Sequence, residues 1–213
     1  MKSYQYILLD WDGNLAKTLD VWLEAYRAPL EKRGYHLSDQ DIAIGFGMMV
    51  KHLSKLGVTD ADDVKNEADV VARQNLPNVE LYPDSLEVLT YFREKNKHIA
   101  LLTSSNHHHI ADLLDKYNLK SYFDVIIAAD DITEHKPHPE PLHKALMLLG
   151  GNTAEAIMIG DSDKDIGAAH NAGMDSILFY PTEHTKFYEF EKLEALKPTY
   201  IVSDFRDIKK IIT

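Results

Sequence analysis

The chain has 213 residues, 45% of them hydrophobic and 27% charged, which suits one large domain or a core domain with a smaller insert and excludes wholesale disorder. Its 34 acidic and 23 basic side chains give a net charge of −11, a poor balance for neutralising nucleic-acid phosphates or for a polybasic membrane anchor. There is no cysteine, which excludes disulfides, thiolate nucleophiles and cysteine-ligated zinc, and no apolar stretch is long enough to span a membrane.

The expectation is a soluble, cytoplasmic, monomeric protein without nucleic-acid or membrane partners. In chain order, the first predicted element is a strand, Tyr6-Ile7-Leu8-Leu9, whose apolar run stops at Asp10, too early for a signal-peptide core. From Ala16 to Asn78 the periodicity is helical only. Leu19, Trp22, Leu23, Tyr26 and Leu30 share one face, Pro29 is expected to distort the last turn, and another helix is expected over 60–75. Trp22 and Tyr26 are expected to be core of this segment. Gly45-Phe46-Gly47-Met48 is expected to be a turn between helices, with the composition of a mobile, substrate-facing loop that brings Lys51 toward an anionic group.

Beyond Tyr82-Pro83, strand-like and helix-like segments alternate. Strands are predicted at His98–Leu102, Val125–Ala129, Ala156–Ile159 and Ser176–Phe179, and helices over 84–95, 106–117, Leu142–Leu149 and 164–172. A short strand, Tyr200-Ile201-Val202, and an edge helix over 204–212 close the chain. Apolar runs without polar alternation are typical of strands buried on both faces of a parallel sheet. The expected architecture is α/β: a doubly wound, mainly parallel, Rossmann-like sheet in residues 1–15 and 80–213, with an all-helical insert at 16–79.

In such sheets ligands bind beyond the carboxyl ends of the strands. The first strand ends in Asp10-Trp11-Asp12-Gly13-Asn14 and the second in Thr103-Ser104-Ser105-Asn106. The third runs into Asp130-Asp131 and then Lys136-Pro137, and the fourth ends in Gly160-Asp161-Ser162-Asp163-Lys164-Asp165. Gathering Asp10, Asp12, Asp161 and Asp165 is costly, because two like charges about 4 Å apart repel by about 4 kcal/mol at an effective dielectric of roughly 20. Lys136 and a divalent cation would compensate, and oxygen donors without histidine or thiolate favour Mg²⁺. Thr103, Ser104 and the helix starting near Asn106 would hold a phosphoryl group of a small phosphorylated substrate. Asp10 is then the expected nucleophile, forming an aspartyl phosphate, and Asp12 the acid that protonates the leaving alcohol and later activates water.

These four segments resemble the motifs of the haloacid dehalogenase-like superfamily of phosphohydrolases, in order and in placement, over nearly the whole chain. The helical insert is similar to the small cap of the phosphoglycolate phosphatase and β-phosphoglucomutase-like branch. The resemblance implies a Mg²⁺-dependent phosphatase. Asp10 would be both nucleophile and metal ligand, and Asp12 would be general acid/base, giving the metal only its backbone carbonyl. Thr103 would bind phosphate, Lys136 would bridge nucleophile and phosphate, Asp161 would ligate the metal, and Asp165 would ligate or orient it. A sugar phosphomutase is the alternative. A non-catalytic phosphate-binding relative is disfavoured because both Asp10 and Asp12 are present, and a dehalogenase is disfavoured by Asp12. Two departures stand out. Asn14 replaces the usual threonine but can still hydrogen-bond locally, and Lys17-Thr18 replaces the usual residues near the cap hinge and substrate entrance.

Several polar residues have ordinary alternatives. Asp10 and Asp161 taken singly are turn or helix caps, Asp163 is a solvated cap residue, and Ser104 is either a phosphate contact or a helix N-cap. His107, His108 and His109 point about 100° apart on a helix and cannot converge on one ion, so they are expected to form a partly exposed first turn. His135 and His138 are expected at the surface beside Lys136, and Asp130 and Asp131 are expected to be loop structure.

Overall fold

The computed structural model describes residues 3–213; Met1 and Lys2, which the expected segment 1–15 includes, lie outside the described residues. Tyr6–Leu9 (β1), His98–Leu102 (β2), Val125–Ile127 (β3), Ala156–Gly160 (β4), Asp175–Phe179 (β5) and Tyr200–Val202 (β6) form one six-stranded sheet in the order β3-β2-β1-β4-β5-β6. Every pairing is parallel, and Leu9 lies level with Leu101 on one side and Ile159 on the other. The expected doubly wound sheet is therefore present. The chain steps outward from β1 to β3 and then returns to β4, so the strand order reverses beside β1, the place where such sheets hold ligands.

The unbroken apolar runs follow from burial on both faces. Ile7 and Leu9, Ile99 and Leu101, and Ile157 and Ile159 join one core, while Leu8, Ala100, Leu102 and Met158 join another on the opposite face. Each leucine, isoleucine or methionine among them contributes about 1.5–3 kcal/mol when fully buried.

Between β1 and β2, the helices Leu19–Lys32 (α1), Asp39–Ile44 (α2), Met49–Lys55 (α3) and Ala61–Asn75 (α4) form the insert, followed by Ser85–Glu94 (α5). Ala61, Val64, Ala68 and Ala72 make the buried face of α4 small and let α1 pack closely. Arg33 ties the pair together by bonding Asp60 and, at 2.6 Å, Glu67. Pro29, expected to distort the last turn, lies inside α1 without ending it. Its ring is buried among the apolar residues of that face, and the helix continues to Lys32. Both connections to the insert cross at one place, where Lys17 N–H donates to Glu80 O and Tyr82 N–H to Leu15 O, each at 2.9 Å.

The remaining helices are His107–Lys116 (α6), Glu140–Leu149 (α7), Asp163–Asn171 (α8), Phe190–Glu194 (α9) and Ile208–Ile211 (α10). Two boundaries differ from the sequence expectation. β3 stops at Ile127 because the Asp131 carboxylate takes the Ala128 N–H at 2.9 Å and pulls the chain into a 3₁₀ turn. The edge helix over 204–212 is a 3₁₀ turn at Phe205–Asp207 followed by the short α10. Among the described residues no helix is long and apolar enough to cross a membrane.

Candidate active site

The site grows from the end of β1. Asp10 N–H still donates to Ile159 O at 2.9 Å as if the strand continued, and the chain then turns, with Leu15 and Ala16 N–H both donating to Trp11 O. Gly13 makes this turn possible at φ +74°, and a Cβ there would lie 2.2 Å from Asp161 Oδ2. Asn14 makes the local bond expected of it, donating its Nδ2 to Asp10 O at 3.0 Å.

Four strand ends then converge. Lys136 Nζ lies 2.6 Å from Asp10 Oδ1, 2.6 Å from Asp165 Oδ1 and 3.2 Å from Leu102 O, which occupies all three of its protons. Lys136 is 4% exposed, Asp10 5% and Asp161 1%. Asp165 is held from behind by Ser162, whose hydroxyl donates to Oδ2 at 2.6 Å, closing a capping box at the start of α8. Asp10, Asp161 and Asp165 each offer an oxygen within 4.8 Å of the others. Of the acids expected to gather, Asp10, Asp161 and Asp165 meet around Lys136, while Asp163 is exposed at the start of α8, as expected of a solvated cap residue.

The electrostatics of the cluster are out of balance. Burial, followed by the charge of Asp165, pushes the Asp10 carboxyl up to about 8 against the pull of Lys136. Asp165 competes for the same ammonium, so one lysine cannot satisfy both acids. Burial and the neighbouring Asp165 and Asp10 also raise Asp161 well above the usual carboxylate range. Burial alone would lower Lys136, but Asp10 and Asp165 outweigh it and hold the ammonium above its ordinary value. Asp161 Oδ2 is buried with no hydrogen-bond partner. An orphaned carboxylate oxygen among further carboxylates, with no soft donor nearby, fits a hard divalent cation.

Asp12 stands apart from that cluster, and its carboxylate accepts on both oxygens. Thr18 Oγ1 (2.6 Å) and Trp22 Nε1 (3.0 Å) donate to Oδ1, and Thr103 Oγ1 (3.2 Å) and Ser105 Oγ (2.8 Å) donate to Oδ2. Trp22, expected only as core of the insert, thus reaches across to the strand-end residue. Thr103 directs its hydroxyl at Asp12 and accepts the Ser105 N–H at 3.0 Å.

Ser104 and Asn106 line a cavity of about 520 Å³ between the strand ends and the insert. Asn106 occupies the N-cap position of α6 but makes no side-chain cap bond. Gly47 of the insert is seated directly over Ser104, where a Cβ would lie 3.0 Å from the serine Cβ. Lys164 crosses the same gap, donating to Ile44 O at 3.0 Å. Lys51 is part of the lining, whereas Lys17 points away, 3.9 Å from Glu183 and over the Tyr82 ring.

Two histidines were not legible as site residues. The first turn of α6 is partly exposed, as expected, but His109 is its buried member and packs edge-on against Trp22 at 5.1 Å. The divergence expected of the triplet holds, since His107 turns to Asp131 at 2.8 Å instead. His184, fully buried in a ring of aromatic residues, bonds Tyr82 Oη through Nε2 at 2.7 Å. Its Nδ1 lies 3.8 Å from the orphaned Asp161 Oδ2. Nothing local in sequence marks His184, which approaches only through packing of the segment after β5. Ser105 did carry a signal, because residues two apart in extended chain face the same side and it follows Thr103 by two.

Comparison with known proteins agrees with this arrangement. The sequence profile of the family described as haloacid dehalogenase-like hydrolase matches residues 7–179. A pyrophosphatase, PpaX, of Bacillus mycoides is 28% identical over 216 residues, covering 97% of this chain and 96% of its own. A haloacid dehalogenase-like hydrolase from Bacteroides fragilis superposes with a TM-score of 0.83 at 28% identity, covering 97% of this chain and 100% of its own. A structure described as a predicted phosphoglycolate phosphatase from Haemophilus somnus gives 0.83 at 25% identity, covering 99% of both chains. With four strand ends carrying the acids and the lysine to one point, and a profile match that runs from β1 to β5, the chain belongs to the haloacid dehalogenase-like hydrolases.

Proposed function

We propose that the chain is a Mg²⁺-dependent phosphatase that hydrolyses a small phosphorylated metabolite through an aspartyl phosphate on Asp10. The reading is carried by the Asp10–Lys136–Asp165 bridge beside the unpartnered Asp161 oxygen, a buried cluster of three acids and one ammonium that opens on a cavity. Asp10, Asp161 and Asp165 would hold the ion together with the Asp12 backbone carbonyl. Bound there, Mg²⁺ would draw charge from the phosphoryl oxygens.

Asp10 attacks phosphorus, the bond to the leaving oxygen breaks, and Asp12 gives that oxygen its proton. Asp12 then takes a proton from water as the water oxygen attacks the same phosphorus. Inorganic phosphate leaves and Asp10 returns to a carboxylate. Lys136 orients Asp10 and offsets developing charge, and Thr103, Ser104 and Asn106 position the phosphoryl group. The insert, residues 16–79 on a core of 1–15 and 80–213, acts as a cap that excludes water when closed. Pyrophosphatase and phosphoglycolate phosphatase, the activities named for the relatives, both release phosphate, which supports hydrolysis over return of the phosphoryl group to a bound sugar.

Phosphate release from p-nitrophenyl phosphate should require Mg²⁺ and stop in EDTA. Asp10→Asn should keep its native circular dichroism and lose at least about a thousandfold in kcat. Near-wild-type activity in that variant refutes the covalent route, and isomerisation of a hexose phosphate without phosphate release refutes hydrolysis.

A further inference from the structure

The cavity has more to hold than a phosphoryl group. Its volume, about 520 Å³, lies within the range of pockets that enclose whole small molecules, roughly 300–1,000 Å³. The insert contributes three aromatic rings to its lining. Trp22, Tyr26 and Phe46 follow one another along the insert at ring separations of 6.1 and 6.4 Å, with Trp22 and Tyr26 stacked at 25° and Phe46 tilted by 33°. His109 abuts the Trp22 end of this row, 7% exposed, with both ring nitrogens lacking a hydrogen-bond partner. Burial lowers its pKa, so it stays neutral and offers one donor and one acceptor.

The charges in this lining are largely spent within the protein. Lys65 pairs with Asp69 at 2.7 Å, and Lys164 is divided between Asp163 and the Ile44 carbonyl. Lys51 is left, on the exposed side of α3. A second phosphate or a carboxylate on the substrate would therefore meet aromatic rings, whose π faces repel anions, and, among the described lining residues, one ammonium not already paired. A flat ring would find three aromatic neighbours and, at His109, a partner for its polar edge.

Resting on the phosphatase reading, we propose that the substrate is a phosphate monoester of an alcohol bearing a planar heteroaromatic ring, which stacks on Trp22, Tyr26 and Phe46 and presents its polar edge to His109. Nucleoside 5′-monophosphates and pyridoxal 5′-phosphate share this chemistry. Water cleaves the ester to the free alcohol and inorganic phosphate, with no further reactant.

The test compares kcat/KM with Mg²⁺ for AMP, UMP, pyridoxal 5′-phosphate, pyrophosphate, phosphoglycolate, glucose 6-phosphate and acetyl phosphate. At least one ring substrate should exceed each of the others by about tenfold or more, and the nucleotide and pyridoxal arms separate the two sources of the ring. Phe46→Ala should lower the ratio of kcat/KM for that substrate to kcat/KM for acetyl phosphate by at least about fivefold. Such a ratio is insensitive to the fraction of folded enzyme. Preference for pyrophosphate, phosphoglycolate or the hexose phosphate, or an unchanged ratio in Phe46→Ala, overturns the proposal while turnover of acetyl phosphate keeps the phosphatase reading intact. No turnover of any compound overturns both.

Discussion

Replacing Lys136 by methionine keeps the length of the side chain and removes the charge that two buried carboxylates share. Each carboxylate oxygen lies 2.6 Å from Nζ, a Coulomb attraction of about 6 kcal/mol apiece at an effective dielectric of about 20. Desolvation offsets much of that, and breaking a buried pair by removing one partner costs about 3–5 kcal/mol. For a chain of this size that corresponds to a fall in Tm of about 6–20 °C. The loss has a pH signature. Asp10 is already pushed up to about 8, and losing the ammonium raises it further. A carboxyl whose folded pKa lies above its unfolded value imposes no penalty on the folded state at low pH, where it is protonated in both states. It penalises the folded state increasingly as pH climbs from about 4 toward the folded pKa. Urea unfolding in EDTA at pH 5.5 and 8.5 should therefore show a larger gap between wild type and Lys136→Met at the higher pH. An equal gap at both pH values, or none, refutes the claim that Lys136 compensates the cluster. The variant should also lose at least about a hundredfold in kcat.

The same imbalance governs metal binding. Because Asp10 and Asp161 are both raised, Mg²⁺ must displace protons, so its apparent affinity should rise between pH 6 and 8.5, with proton release seen by calorimetry in buffers of different ionisation enthalpy. Binding without proton release contradicts the raised pKa values. Gly13→Ala places a methyl group 2.2 Å from Asp161 Oδ2 at a positive φ; backbone strain alone should cost about 1–3 kcal/mol, and Mg²⁺ affinity should fall with it. A variant that binds Mg²⁺ normally would show that Asp161 does not need that clearance. His184→Phe should leave the aromatic packing in place but remove the nitrogen facing Asp161, weakening Mg²⁺ binding by about tenfold, as outer partners of metal ligands do. An unchanged dissociation constant by calorimetry means that Asp161 is oriented without it.

Much of the site follows from one-dimensional pattern. Apolar runs such as Ile7-Leu8-Leu9 and Ile157-Met158-Ile159 can be satisfied only by strands covered on both faces, and a parallel sheet aligns their carboxyl ends. Asp10, Lys136, Asp161 and Asp165 are tied to those ends by chain position, so their meeting could be foreseen before any contact was known. Asn14 and Gly13 act within a few bonds of Asp10 and were equally accessible. Trp22 bonding Asp12, His109 beneath Trp22 and His184 behind Asp161 were decided by how helices and a late loop pack. Helical periodicity says that a side chain is buried, while the angle and translation at which one element meets another determine which partner it finds. Pro29 belongs with these: propensity predicts a distorted last turn, and packing decides that its ring is buried in the α1 face and that the helix runs on to Lys32.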